Sequence, residues 1–305
     1  MDRRAAALLL LLSTIWGCSF IFIKMGDRSF APMTIAFIRT ALGASVLLAM
    51  VLKTGSKLPR SWSVWGKLAL AALLSNTLPF ALFGYGESHI TAILAGLLNS
   101  VTPLATFPLA ILAGIEIPSI RKFAGLALGM VGVMVVLGIW DNALSGSLLG
   151  SLACLLAAIL YGAGFVYAKK ALLNKGHGPL SLATGQLLAA ATEALILTAW
   201  IGPGSHRLLL APLVSVILLG VLGTGVAYLM SYHLMHQVGA LGASLTTMIV
   251  PIFSTVAGAV VLQERIHFYQ ALGAILILGG AWLVQRRTID RPDPRSQGPS
   301  LDPVS

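Results

Sequence analysis

Two ionisable side chains, Arg39 and Glu193, lie inside long apolar segments of this sequence. A charged group in apolar surroundings costs free energy, so each of the two is a candidate for function. We expect them either to form a buried pair with a structural role or to face a water-filled cavity. Glu193 is also a candidate for ion coupling, because carboxyl groups within membrane segments commonly bind and release protons.

Aromatic and amide side chains form a second group with binding chemistry. Asn76, Phe80 and Phe83 are spaced so that they share one face of a helix, as are Tyr228 and Tyr232. Aromatic faces with a few amides suit a ligand that has a ring or large apolar group and a polar head. The alternative is that these side chains pack within the protein or anchor it at the membrane interface. The candidate substrate-binding residues are Trp16, Asn76, Phe80, Phe83, Tyr85, Asn99, Tyr161, Tyr228 and Tyr232.

Two prolines are candidates for helix kinks. Pro103 and Pro251 fall near the middle of apolar segments, where a proline removes one backbone hydrogen bond. The kink would serve as a hinge or as a packing feature, or it would expose carbonyl groups to a ligand. Neighbouring hydroxyl groups offer a further way to satisfy those carbonyls, and they belong to Ser100, Thr102, Thr246 and Thr247.

Motifs typical of enzymes and metal sites are absent from the sequence. It contains no H-E-x-x-H, P-loop, G-x-S-x-G or C-x-x-C, and its two cysteines lie inside apolar runs. We therefore predict no catalytic residue, no metal and no cofactor. A chain without a P-loop would move a solute down a gradient or by coupling to an ion.

The elements that must position these residues are transmembrane helices. Of the 305 residues, 57% are hydrophobic and only 10% are charged, whereas soluble domains contain about 25% charged residues. The apolar residues fall in runs of ~20, the length that crosses a bilayer. We predict an all-α integral membrane protein with ten helices, at residues 5–23, 32–52, 65–86, 90–113, 120–139, 147–169, 179–201, 211–232, 239–262 and 267–285.

The basic residues predict the orientation. The chain has a formal net charge of +10, and most of its Lys and Arg residues fall on the same side as the N-terminus. By the positive-inside rule both termini are cytoplasmic. Residues 288–305, rich in Pro, Asp, Arg and Ser, are predicted to form a disordered cytoplasmic tail. The short loops and the Ala-, Leu- and Gly-rich composition favour a bacterial inner membrane.

An internal repeat underlies the whole chain. At a shift of about 145 residues, distinctive residues of the first half align with similar residues of the second. We predict two repeats of five helices, at residues 1–140 and 141–287, inserted in opposite orientations because five is odd. The aligned pairs include Trp16 with Tyr161, Gly17 with Gly162, Arg39 with Gln186, Phe80 with Tyr228, Pro103 with Pro251, and Glu116 with Glu264, the last two forming a P-x12-E spacing in each half.

These segments resemble a known family. Ile15-Trp16-Gly17-Cys18-Ser19-Phe20 with Lys24, Phe37-Ile38-Arg39, and both P-x12-E segments are similar to the drug/metabolite transporter superfamily, in particular its EamA-type members with ten helices. The resemblance covers roughly residues 5–287. It implies a single-chain exporter of small metabolites that works by alternating access. Its central cavity would be lined by helices one, three, four, six, eight and nine.

The resemblance also bears on the substrate. YddG-type exporters of aromatic amino acids are the members most similar in character, which implies an amino acid with an aromatic or large neutral side chain. The second and seventh helices are not the main cavity lining in the family, which favours a structural role for Arg39 and Glu193.

Other functions stay open at this point. A membrane-embedded enzyme would need convergent catalytic residues, and a receptor would not need two inverted halves. A carrier of sugars, nucleotides or cationic drugs fits the same fold. The expected partners are a small-molecule substrate and the lipid bilayer, with no nucleic acid. The G-x-x-x-G spacing from Gly125 to Gly129 predicts packing against the tenth helix or, alternatively, a homodimer contact.

Overall fold

The protein is built from helices that cross a membrane. The computed structural model describes residues 3–138, 147–173, 175–202 and 209–285, and within these ranges the chain forms helices and no strand. Nine of the described helices are long and apolar enough to span a bilayer, and a tenth apolar helix follows them. This confirms the prediction of an all-α integral membrane protein. The helices are α1 (Arg3–Gly26), α2 (Pro32–Thr54), α3 (Trp62–His89), α4 (Ala92–Leu112), α5 (Ile120–Leu137), α6 (Leu148–Ala171), α7 (Pro179–Ile201), α8 (Leu210–Ala240), α9 (Gly242–Val261) and α10 (Phe268–Gln285).

The predicted helix ends agree with the structure within a few residues, except in α8. The sequence predicts that this helix ends at residue 232, because the following residues are polar. Instead, the helix continues to Gly239, whose φ of 76° and ψ of 179° turn the chain into α9. His233 and His236 are exposed on this extension. The predicted tail, residues 288–305, lies outside the described residues.

The fifth helix of each half packs against the other along glycines. A Cβ atom added to Gly125 of α5 would lie 2.6 Å from the carbonyl oxygen of Gly280 in α10. One added to Gly132 would lie 2.8 Å from the carbonyl oxygen of Gly273. Such close backbones require residues without a side chain. The predicted packing of α5 on α10 is therefore confirmed, and the two helices run antiparallel, as inverted halves require.

Each half of the chain reproduces the packing of the other. Gly17 of α1 packs against Phe253 and the carbonyl of Val250 in α9, at 3.0 Å from that oxygen to an added Cβ. Gly162 of α6 packs in the same way against Ala105 and the carbonyl of Thr102 in α4, at 3.2 Å. A shift of about 145 residues converts each contact into the other. The internal similarity of the sequence is thus matched by similar helix contacts.

A short π-helical segment interrupts one helix in each half. Residues Leu73–Thr77 of α3 and Val221–Val226 of α8 have π-helical hydrogen bonding. The two segments occupy equivalent positions of the repeat. π-Helical turns inside longer helices are rare and frequently mark functional sites, and both of these lie near the middle of their helices.

The apolar core consists mainly of two clusters. One is formed chiefly by α1, α2, α3, α6, α7 and α8, and the other chiefly by α4, α6, α9 and α10. Trp16 of α1 and Tyr161 of α6 contact both clusters. On the outside, large apolar side chains are exposed, such as Leu112 at 83% and Trp200 at 81%, as expected of a surface that faces lipid. We call the side on which α1 begins the N-terminal face, and the other side the opposite face.

Candidate functional site

A central cavity runs between the two halves. The cavity has a volume of about 70 Å³, measured as the space that the centre of a water molecule can occupy. It extends from Ile23, three residues before the end of α1, to Ala168, three residues before the end of α6. Since these two residues are equivalent in the repeat, the cavity crosses most of the depth of the bundle.

Most of the predicted binding residues line this cavity. Their rings pack edge to face around it, with centroids 6.3 Å apart between Trp16 and Tyr228 and 6.4 Å apart between Phe80 and Tyr228. The residues concerned are Trp16, Phe80, Phe83, Asn99, Tyr161, Tyr228 and Tyr232. Aromatic faces therefore form much of the cavity wall.

Two predicted binding residues lie elsewhere. Tyr85 points away from the cavity, with its ring 4.5 Å from that of His89. Asn76 is fully buried behind the wall, where its Oδ1 accepts a hydrogen bond from Gln186. Asn76 therefore contacts the lining rather than the cavity itself.

Arg39 belongs to the cavity wall. Its side chain is 4% exposed, its Nε donates to Thr224 Oγ1 at 3.0 Å, and its guanidinium lies 3.6 Å from the centre of the Phe80 ring. Of the described residues that line the cavity, Arg39 alone carries a charge. Arg39 therefore faces the cavity, which is one of the two arrangements expected for it, although α2 is not among the helices that the family resemblance implies as the main lining.

Arg39 and Glu193 do not form a pair. Glu193 accepts a hydrogen bond of 2.6 Å from Thr77 Oγ1 and is absent from the cavity lining. Among the described residues the ion pair present is Lys122–Glu116, at 2.7 Å. Both side chains contact α3, Arg39 at Phe80 and Glu193 at Thr77, but they do not contact each other.

Gln186 of α7 is a lining residue that the sequence did not single out for binding. Its Nε2 donates to Asn76 Oδ1 at 2.7 Å, and its Oε1 accepts a hydrogen bond from the Tyr232 hydroxyl. The sequence contained one signal that could have identified Gln186 as a lining residue, namely its alignment with Arg39 in the internal repeat. Asn76 and Thr224 are likewise equivalent, so the Gln186–Asn76 bond repeats the Arg39–Thr224 bond across the cavity.

The π-helical segments explain how these bonds form. Both partners of the repeat-related bonds, Asn76 and Thr224, lie within them. The carbonyl of Ser75, in the first segment, accepts a hydrogen bond from the Tyr228 hydroxyl. A π-turn shifts the register of the backbone bonds, which frees polar groups in mid-helix to contact the lining residues.

The helix interruption differs between the two P-x12-E segments. In α4 the helix breaks at Ser100 and Val101, directly before the segment that contains Pro103. In the second half the break falls at Leu245, and the helix then continues through Pro251. A kink at Pro251 itself stays a prediction. The neighbouring hydroxyls donate to backbone carbonyls as expected: Ser100 to Leu97, Thr102 to Asn99, Thr246 to Ala243 and Thr247 to Ser244.

At the opposite face, polar contacts close the cavity. Both carboxylate oxygens of Glu264 accept backbone N–H groups, from Ala92 and Ile93 at 2.9 Å, at the start of α4. A carboxylate at a helix N-terminus satisfies free N–H groups and interacts favourably with the helix dipole. The Lys24 ammonium donates to the carbonyls of Glu87 and Ile90, the latter at 2.9 Å. These contacts join α1, α3, α4 and the segment before α10.

Metal and disulfide chemistry has no basis in the described part of the chain. No group of three or more His, Cys, Asp or Glu residues there could hold a metal ion. Cys18 and Cys154 are free thiols. The arrangement instead offers one cation, several aromatic faces and amide and hydroxyl groups around an enclosed space.

Known proteins with similar sequences are transporters. The sequence is 27% identical to an uncharacterized transporter of Archaeoglobus fulgidus over 93% of this chain and 98% of that protein. It is 26% identical to a probable amino-acid metabolite efflux pump of Escherichia coli, over 93% and 95% of the two chains. A protein of known crystal structure has a similar fold, with a TM-score of 0.69 and 20% identity over 93% of this chain and 96% of that one.

The family comparison finds the same unit twice. The model of the EamA-like transporter family matches residues 3–138 and again residues 148–286, and each match spans five of the helices. Together the two matches cover most of the chain. The protein is therefore a multi-pass membrane transporter rather than an enzyme, and it belongs to the EamA-like transporter family.

Proposed function

We propose that the protein exports amino acids with aromatic or large neutral side chains across the bacterial inner membrane by alternating access. The observation that carries this proposal is the position of Arg39, a single cation in the wall of a cavity that is otherwise largely aromatic. One end of the substrate would meet a positive charge and the other would meet aromatic rings.

Arg39 has the chemistry to bind the carboxylate of an amino acid. A guanidinium presents its N–H groups as a planar fork that fits a carboxylate with two parallel hydrogen bonds. Nε is occupied by Thr224, and the remaining N–H groups make no hydrogen bond within the described residues. The Phe80 ring under the guanidinium holds it in place by a cation–π contact. Arg39 is thus fixed in position with donors available.

The aromatic residues suit the substrate side chain. Tyr161 stacks on Phe83 with centroids 5.7 Å apart, and Phe80 and Tyr228 complete this part of the wall. Such rings favour planar or bulky apolar groups. The neutral Gln186 and Asn99 offer acceptors for the substrate ammonium group. A cationic drug would instead be repelled by Arg39.

The transport cycle follows from the repeat. Two halves with equivalent contacts can exchange conformations, so that the cavity opens first to one face and then to the other. The Lys and Arg distribution supports a cytoplasmic location of the N-terminal face. The name of the Escherichia coli relative, a probable amino-acid metabolite efflux pump, supports amino acids as substrates and export as the direction.

Transport into liposomes tests the proposal. Purified protein would be reconstituted, and exchange of labelled phenylalanine, leucine, glucose, a nucleoside and a cationic dye would be measured under equal pH inside and outside. We expect exchange of phenylalanine and leucine only. Exchange of the dye or the sugar without any amino acid would overturn the proposal.

A further inference from the structure

Glu87 is a buried carboxyl group without a hydrogen-bond partner. It lies on α3, one helical turn beyond Phe83 and towards the opposite face. Its side chain is 0% exposed, and neither carboxylate oxygen is hydrogen-bonded to any described residue. Buried polar groups nearly always have a partner, so Glu87 is an exception that calls for a physical explanation.

Glu87 separates two spaces. The central cavity reaches Ile23 and Phe83. A shallow hollow on the opposite face is lined by residues that include Lys24 and Ser88, the latter adjacent to Glu87 in the chain. The carboxyl group therefore lies between the central cavity and the hollow on the opposite face. A group that passes protons from one to the other would have to lie there.

The nearest cation does not neutralise Glu87 by an ion pair. The Lys24 ammonium donates to the backbone carbonyls of Glu87 and Ile90, not to the Glu87 carboxylate. Asp27 lies outside the helices, where burial raises its pKa against the opposing effects of Lys24 and His89. The charged and titratable groups that act on Glu87 from the neighbouring elements are Lys24, Asp27, Arg39, Cys154, Tyr161 and Glu264.

An ionised carboxylate is unfavourable in this position. Removing a charge from water without a partner carries a large desolvation cost, and a buried group in that situation takes up a proton instead. Burial without a partner therefore favours the neutral form of Glu87 when the opposite face is closed. Opening of that face would separate α1 from α3, admit water and free Lys24, and all three changes favour the carboxylate.

We propose that Glu87 is a proton-binding site that couples export to the proton gradient. When the opposite face is open, a proton moves from water to a Glu87 carboxylate oxygen, and the neutral side chain allows that face to close. The proton then leaves to water in the cavity on the N-terminal side. The carboxylate left behind destabilises the closed face, and that face opens again with substrate bound in the cavity. One proton thus crosses in the direction opposite to the substrate.

The direction of coupling rests on the proposed export of amino acids, but proton binding itself does not. Infrared difference spectroscopy of the purified protein between low and high pH detects the carbonyl stretch of a protonated carboxylic acid without any substrate. We expect this band in the wild-type protein, its loss in Glu87→Gln, and a shifted band in Glu87→Asp. A wild-type spectrum that Glu87→Gln leaves unchanged would overturn the proposal.

Transport in liposomes tests the coupling. An imposed pH gradient should drive accumulation of phenylalanine by the wild-type protein. Glu87→Gln mimics the neutral acid, so it should fold and lose the stimulation by the gradient. Exchange at equal pH should continue at a reduced rate, because the face must open without the help of an ionised group. Glu87→Asp should keep part of that stimulation. Glu193→Gln is the matched control, because Glu193 is a carboxyl group that accepts a hydrogen bond from Thr77. This variant should keep the full stimulation by the gradient.

The remaining outcomes separate this proposal from the proposed function. If wild-type protein exchanges amino acids but ignores the gradient, or if Glu193→Gln and not Glu87→Gln loses the stimulation, coupling at Glu87 is wrong while amino-acid transport stands. If no amino acid exchanges at all, the proposed function fails, and the infrared band still decides whether Glu87 binds a proton. Should Glu87→Gln fail to fold, the band shift in Glu87→Asp decides the same question.

Discussion

Arg39 and Gln186 occupy equivalent positions on two walls of the same cavity, and they differ in charge. Arg39 donates to Thr224 in one π-helical segment, and Gln186 donates to Asn76 in the other. The backbone arrangement is shared, so the two halves can move alike. The chemistry is not shared, because among the described lining residues the cation is Arg39 and its counterpart Gln186 is neutral. A symmetric frame can therefore alternate between two faces while its cavity still binds a polar substrate in one orientation.

Replacing the cation makes the two walls alike. We expect Arg39→Gln to lower the rate of phenylalanine exchange by about 10- to 100-fold, the effect of losing a charge-assisted contact of about 1.5–3 kcal/mol. Initial rates in liposomes measure this. Arg39→Lys, which keeps the charge but lacks the planar fork, should fall in between. Equal rates in wild type and Arg39→Gln would mean that the charge difference has no part in transport.

Removing the neutral side chain tests the other wall. Gln186→Ala leaves Asn76 and the Tyr232 hydroxyl without their partner. Each unpaired buried group costs about 1–3 kcal/mol, so we expect a clear drop in the thermal unfolding midpoint in detergent. Transport should suffer less than in Arg39→Gln. If Gln186→Ala abolishes exchange in folded protein, the two walls contribute equally to binding.

The hydrogen bond that positions Arg39 can be removed separately. Thr224→Val deletes the acceptor of the 3.0 Å bond from Nε and preserves the shape of the side chain. We expect the apparent KM for phenylalanine to rise about threefold to tenfold, because one neutral acceptor contributes about 0.5–1.5 kcal/mol. Thr224→Ser keeps the hydroxyl and is the control. An unchanged KM in Thr224→Val would show that Phe80 alone holds Arg39.

Tyr85 should matter least. It was a binding candidate by residue type, but its ring packs on His89 outside the cavity. Tyr85→Phe should change neither the rate nor the KM by more than about twofold, as is usual for substitutions away from a site. Tyr161→Leu, inside the cavity, is the comparison and should be clearly slower. Equal losses in both variants would contradict the assignment of the cavity wall.

The fold could be predicted largely from the sequence because long apolar runs allow few structures in a membrane. The repeat was visible from residues such as Gly17 and Gly162, whose small size is required by helix contact. The end of α8 was predicted wrongly. The helix continues past His233 and His236 to Ala240, with a kink at Gly239, where the backbone adopts a positive φ.

The site was predicted in part. Residue type, together with the cavity helices that the family resemblance implies, selected most of the aromatic lining, such as Trp16 and Tyr228. The two π-helical segments could not be predicted, since they depend on register shifts that no local residue pattern specifies. Without knowledge of these segments, the contacts of Asn76 and Arg39 cannot be predicted. The sequence also places Glu87 at the end of a helix and does not show that its carboxyl group is buried.

The most direct test of the central claim compares phenylalanine with phenylalaninamide, which lacks the carboxylate, as competitors of phenylalanine exchange in wild type and in Arg39→Gln. If Arg39 binds the substrate carboxylate, the wild-type protein should strongly prefer the acid, and Arg39→Gln should lose this preference while the amide competes as before. An Arg39→Gln protein that still prefers the acid by the wild-type ratio would contradict the claim.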